Sequence, residues 1–266
     1  MTTTTTTATT TTATTTPPAP GFREALAFEW TKFAGLRSTR WTLLTTGLLT
    51  VVGAVFVGLS GSLQPDDTVL GGSLTLSVVS LMVAGAVGAL TVCGEYASGT
   101  IAATLTAVPR RGRVIAAKAA LLACLLYATG LVSCAAAYLL GGAVLEDGEY
   151  APGEPLPALF GIAALFALVG LLGLAVGTLM KHSAGAVVTV VGVLLLPSLF
   201  GPLLGDFRRW VAGATPTAAL EKLTQTSDAS PETVGSLGPW PSLGLVAAYT
   251  LLLLGAATWR LRRRDV

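Results

Sequence analysis

Few side chains in this sequence have the types and spacing that chemistry needs. Ser60 lies in Gly58-Leu59-Ser60-Gly61, and His182 is followed three residues on by Gly185. A serine nucleophile and its imidazole base must approach to about 3 Å. Here they close apolar runs that end on opposite sides of a bilayer, roughly 30 Å apart, so the pairing fails as a hydrolase site. Cys93, Cys124 and Cys134 all lie in or beside apolar blocks, without C-x-x-C spacing and without a His-rich partner segment. They read as small apolar residues rather than as metal ligands. None of the lysines follows a glycine, so no G-x-x-x-x-G-K-[ST] phosphate loop exists to cradle ATP.

The chemistry is sparse because the chain is built for another solvent. Hydrophobic residues make up 52% of it and charged residues 11%, with a mean hydropathy of +0.72. An ordinary soluble domain carries about 25% charged residues. The apolar residues gather into six blocks: Trp41 to Leu63, Val69 to Gly94, Val114 to Leu145, Leu156 to Met180, Ser183 to Leu204 and Leu243 to Trp259. Blocks of about 18 residues or more cross a bilayer as helices. The expected fold is therefore an all-α integral membrane protein with six transmembrane helices. Pro197 and Pro202 interrupt the fifth block, which predicts a kink or a re-entrant turn there. Gly173 and Gly177, four apart, permit a close helix contact. No Asp, Glu, Lys, Arg or His falls in the middle of a block, which disfavours ion-coupled transport, since proton relays and ion paths are built from such residues.

Residues 1–20 are nearly all Thr, Ala and Pro and predict a disordered tail. Residues 21–40 form a separate unit. Phe22, Leu26, Trp30, Phe33 and Leu36 recur every three or four positions and predict an amphipathic helix lying in the headgroup plane. Glu24, Thr31 and Lys32 lie away from that stripe, and Glu29 intrudes on its edge. Residues 41–266 form the six-span domain.

Basic residues set the orientation. Arg23, Lys32, Arg37 and Arg40 precede the first span; Arg110, Arg111, Arg113 and Lys118 follow the second; Lys181 follows the fourth; Arg260, Arg262, Arg263 and Arg264 follow the last. All fall on one side, while the intervening connections carry Asp66, Asp67, Glu146, Asp147, Glu149 and Glu154 with no Lys or Arg. The expectation is that both termini are cytoplasmic. The long loop from Gly205 to Ser242 has mixed charge, which its length permits.

The connection after the second span reads Gly94-Glu95-Tyr96-Ala97-Ser98-Gly99-Thr100, continues through an amphipathic stretch to Pro109-Arg110-Arg111-Gly112-Arg113, and reaches Lys118 in the next helix. This segment resembles the type 2 ABC exporter permeases, whose connection at this point has a Glu ending the span, a Gly-Thr, an amphipathic stretch, a Pro followed by Arg, and a Lys entering the next helix. Glu95, Gly99, Thr100, Pro109, Arg111 and Lys118 match residue by residue. Glu29, Trp30 and Lys32 in the helix before the first span extend the likeness. The threonine-rich tail and the acidic external loops are not family features.

The resemblance implies a permease subunit of an exporter in the plasma membrane, itself without catalytic residues or cofactor. Two copies of a separate ATPase subunit would hold ATP and Mg. The permease would pair with a second copy or a related permease, and no nucleic acid takes part. It also implies a short cytoplasmic coupling helix between spans two and three, made from Glu95 to Arg113. The substrate class, whether drug, peptide, lipid or polysaccharide, is not legible. A non-transporting membrane scaffold or sensor subunit with the same fold is the alternative.

Overall fold

The computed structural model describes residues 21–61, 63–64, 66–100, 111–145, 150–200, 203, 213–227 and 229–263. Its regular elements are α1 (Phe22–Gly35), α2 (Arg37–Ser60), α3 (Val69–Leu74), α4 (Ser77–Ala97), α5 (Arg111–Val144), α6 (Pro155–Met180), α7 (Ser183–Phe200), α8 (Pro216–Thr224), α9 (Pro231–Val234) and α10 (Pro239–Arg263). Arg37–Ser60, Val69–Ala97, Gly112–Val144, Pro155–Met180 and Pro231–Leu261 are long and apolar enough to cross a membrane, and Ser183–Pro197 is a shorter apolar helix. The chain is an all-α, multi-pass membrane protein of about six spans.

The direction of each span follows from which residues meet. A Cβ placed on Gly47 would touch Thr129 and Ser133, and one on Gly58 would meet Val144, so α2 and α5 run parallel. Thr50 Oγ1 donates to Ser80 Oγ at 2.8 Å, and Gly53 faces Leu76; α4 therefore runs against α2. Gly88 lies on Gly170, Gly173 on Gly85, and Gly177 on Ala89 and Val92, which makes α6 parallel to α4. Directions alternate along the chain, as a serpentine membrane topology requires.

The α4–α6 crossing is where the helices come closest. A Cβ on Gly88 would sit 1.8 Å from the Gly170 carbonyl oxygen, and one on Gly173 would sit 2.0 Å from that of Gly85. Only a missing side chain lets the two backbones touch, and in lipid such van der Waals contact replaces the hydrophobic drive. Around this seam α6 is the most buried span, while α2 and α10 are the least.

Three expected boundaries move. The amphipathic unit ends at Leu36, whose extended backbone (φ −89°, ψ 110°) separates α1 from α2, and α2 starts at Arg37 rather than Trp41. The second span is broken at Thr75 and Leu76. There Thr75 Oγ1 donates to the Gly71 carbonyl at 2.7 Å and Leu76 folds over Gly53. Such back-bonding competes with the helical ladder and bends it. In the fifth span the helix continues past Pro197 to Phe200; Pro202 and the re-entrant turn expected there lie outside the described residues.

The Gly205 to Ser242 loop contains structure that periodicity did not announce. Thr215 and Ser230 cap α8 and α9 through their hydroxyls, each followed by a proline at the first helical position. Ala218, Ala219, Leu220 and Leu223 bury α8 against the end of the bundle opposite α1. Around that end Ser227 donates to Asp67, Gln225 Oε1 accepts from Glu154 N, and Val69 N donates to the Ala151 carbonyl.

Candidate coupling site

At the α1 end the structure gathers four charged side chains from three helices. Glu29 and Lys32 share one face of α1, three residues apart; Glu95 lies in the last turn of α4; Lys118 lies two turns into α5. Lys118 Nζ donates to Glu29 Oε2 at 2.5 Å and to Glu95 Oε1 at 2.8 Å. Lys32 Nζ donates to Glu95 Oε1 and lies 3.5 Å from Glu29 Oε1. Glu29, Lys118 and Glu95 are only 2%, 5% and 8% exposed. Two carboxylates and two ammonium groups leave the cluster neutral, which is what makes burial of ions tolerable.

Each helix brings its member there for a local reason. Ala25 and Glu29, one turn apart, are the fully buried residues of α1, and Ala25 is small enough to let α1 lie against α5. Glu95 stands near the negative end of the α4 dipole, where a carboxylate is disfavoured without a cation beside it; Lys32 and Lys118 supply two. Gly99 then ends α4, taking the left-handed conformation (φ +71°) that a glycine adopts without strain.

Of the apolar stripe on α1, Phe22, Trp30 and Leu36 are exposed, as a helix that turns this stripe to the headgroup region would have them, while Glu29 at its edge is buried against the bundle. Phe22, Phe28 and Trp30 point away from the bundle, Phe33 packs partly buried against the core, and the residue that intruded on the stripe anchors the helix.

The remaining residues of the matched segment distribute around this cluster. Ser98 Oγ and Thr100 Oγ1 lie 2.9 Å apart just past α4. Arg111 opens α5, and Arg113 is half-buried in its first turn. Pro109, Arg110 and the expected coupling helix fall in 101–110, outside the described residues. A neighbouring contact escaped sequence reasoning altogether. Lys181, which ends α6 in a left-handed conformation (φ 57°), places Nζ 5.0 Å from the centre of the Tyr96 ring. A cation–π contact between residues so far apart in the chain has no signature in sequence. Beside the cluster, between α1, α2 and α4, lies a cavity of about 650 Å³.

Ser60 and His182 are at opposite ends of the bundle, as their positions on the antiparallel α2 and α6 require. Ser60 Oγ donates to the Val57 carbonyl, and His182 Nδ1 accepts from Gly185 N at 3.1 Å. Cys93 and Cys134 are buried and Cys124 is exposed, all as free thiols. Among the described residues no group of His, Cys, Asp and Glu is placed to hold a metal.

The sequence matches the family described as "ABC-2 family transporter protein" over residues 4–266. The chain belongs to the ABC-2 transporter family. No curated protein matches it. As an ABC-2 protein it is the membrane component of an ABC transporter, and membership implies partnership with an ABC ATPase subunit. The charge cluster stands at both flanks of the connection through which the resemblance expects that partner to act.

Proposed function

We propose that this ABC-2 protein is the permease subunit of an exporter, moving its substrate out of the cytoplasm on ATP hydrolysed by a separate subunit. Two ATPase copies, holding ATP and Mg, serve a pair of permeases in the plasma membrane, with both termini cytoplasmic. The observation that carries this reading is the bonding of Lys118 to both Glu29 and Glu95.

Glu95 and Lys118 bracket the connection 98–110. An ATPase docked on that connection pushes on the end of α4 and the start of α5 together. Because the two ends are tied to each other and to α1, the push cannot be absorbed by splaying them apart. It passes into the bundle as a rigid-body tilt, and the glycine seam carries it from α4 to α6. Arg110, Arg111 and Arg113 offer donors for an acidic groove on the partner.

Glu95→Gln tests the assignment, because it removes one charge with little change in volume. Expected are normal insertion and normal capture of the ATPase, with ATP hydrolysis no longer tied to transport, the local loss being about 1–3 kcal/mol. Glu substitution of Arg110, Arg111 and Arg113 together should weaken ATPase capture. The isolated chain should hydrolyse no ATP. Wild-type coupling in Glu95→Gln and wild-type capture in the triple variant, both correctly inserted, would remove the coupling assignment.

A further inference from the structure

The second span is one apolar run but two helices, and a single torsion divides them. Thr75 keeps a helical backbone (φ −53°, ψ −46°), whereas Leu76 turns to φ −80°, ψ 2°. A continuous helix needs a ψ of about −42° there, so roughly 45° of rotation at one residue separates the bent span from a straight one. The observed pair of angles lies in the bridge region, which is sterically allowed, and the rotation crosses no forbidden conformation. Packing on the neighbouring helix holds the bend. A Cβ on Gly53 would lie 2.8 Å from Leu76 Cβ, so the leucine sits in a notch that glycine alone leaves open.

The two halves of the span are fastened to different bodies. On the α8 side, Val69 N donates to the Ala151 carbonyl at 2.9 Å, Ser227 Oγ donates to Asp67 at 2.7 Å, and Ser73 fills the notch at Gly141 of α5, so α3 belongs to a cap over that end of the bundle. On the other side of the bend, the glycine seam fixes α4 to α6. A cavity of about 630 Å³ lies at the junction, walled by Leu74, Thr75 and Val78 of the second span and by Val57, Leu195 and Leu220 of α2, α7 and α8. The bend also carries a cost. Ser77 Oγ, in the first turn of α4, is buried without a hydrogen-bond partner. Thr46 and Thr178 show what such a hydroxyl does within an unbroken helix, each donating to the carbonyl four residues before it, at 2.8 and 2.7 Å. In a straight second span Ser77 would donate to the Ser73 carbonyl in the same way.

We propose that Leu76 is a two-state hinge on which the α4–α6 pair swings beneath the cap, changing the size of the cavity at the bend. The seating of Leu76 on Gly53 favours the bent state, and the hydrogen bond open to Ser77 favours the straight one. Two states that each hold one of these interactions and forgo the other lie close in free energy, as a bistable element requires. The hinge is a property of this chain by itself. It goes beyond the coupling assignment and is read without ATP or the ATPase, so either can fail alone.

The full-length chain, with its three cysteines replaced by Ala, is placed in lipid nanodiscs, diluted with unlabelled chain and spin-labelled in pairs. One pair joins Ala151 in the cap to Ala97 at the far end of α4; the control pair joins Ala97 to Met180 across α4 and α6. All three positions are exposed. Leu76→Ala empties the notch and should raise the ratio of straight to bent by about tenfold in the Ala151–Ala97 distances. Gly53→Ala, which crowds the leucine from the other side, should act in the same direction. Adding Ser77→Ala to Leu76→Ala should lower the ratio again by about tenfold, because it takes the bond from the straight state and the stranded hydroxyl from the bent one. The control distance should stay the same in every variant. An Ala151–Ala97 distribution that neither Leu76→Ala nor Gly53→Ala alters, a Ser77→Ala effect of the opposite sign, or a control distance that moves with the first would each overturn the hinge. Should Leu76→Ala fail to fold, Gly53→Ala with and without Ser77→Ala decides alone: an unchanged distribution overturns the proposal.

Discussion

Lys118 on α5 and Glu29 on α1, 89 positions apart in sequence, meet at 2.5 Å in the least exposed ion pair of the cluster. Removing one partner strands a charge among apolar neighbours, which typically costs about 3–5 kcal/mol. Lys118→Met and Glu29→Gln should therefore each lower the unfolding midpoint sharply in detergent. The combination Glu29→Leu with Lys118→Leu should recover a large part of that loss, because no buried charge of this pair is left alone, and a double-mutant cycle measures the coupling. Additive losses would show that the pair is not coupled.

The α4–α6 seam makes a steric prediction. Gly88→Ala and Gly173→Ala each put a methyl group within 2.0 Å of a backbone oxygen, so the helices must separate. A loss of about 1–3 kcal/mol follows from overpacking. Gly94→Ala, on the same helix with nothing within 4 Å of the new carbon, should be neutral. Comparing the unfolding midpoints of the three variants checks the seam.

Orientation can be read by labelling. With Cys93, Cys124 and Cys134 replaced by Ala, a single cysteine at Gln64 or Ser227 should react with an impermeant maleimide in intact cells. One at Arg263 should react only after permeabilisation. The reverse pattern would invert the expected topology.

Asp67 predicts an acid-sensitive contact at the α8 end. Burial alone would raise its carboxyl, but hydrogen bonds from Ser227 Oγ, Gln64 N and Ser227 N together hold it below its ordinary value. A carboxylate lowered by folding adds stability above its unfolded value of about 3.9 and loses it as pH falls through the folded value. The unfolding midpoint should be insensitive to Asp67 titration near neutrality and acquire a decline below about pH 4. In Asp67→Asn that part of the decline should be missing.

The spans were legible because bilayer thickness writes itself into the length of apolar runs, and Glu95 and Lys118 were legible because they stand where such runs begin and end. The burial of Glu29 was not legible for a physical reason. A single amphipathic stripe says which residues avoid water, not which neighbour faces them, and only the approach of Lys118 turns an intruding acid into an anchor. Its i,i+3 spacing to Lys32 was the available hint. The break at Thr75 depends on Leu76 meeting Gly53, and α8 depends on a pocket assembled from distant helices. Neither is local, so neither shows in periodicity. Gly173 and Gly177 carried only half of the seam; Gly85 and Gly88 became meaningful once the partner helix was known.

The seam also limits how the molecule can change shape. The notches at Gly88, Gly173 and Gly177 each receive a particular carbonyl from the facing helix, those of Gly170, Gly85 and Ala89, so sliding α4 along α6 would drive side chains into backbone. The pair behaves as a splint, fixed in length and register. A change of shape that spares this pair would swing the splint against its neighbours, of which α2 and α10 are the most thinly covered. Spectroscopic labels placed across α4 and α6 will keep one separation throughout the cycle, and labels from either of them to α2 or α10 will report the motion.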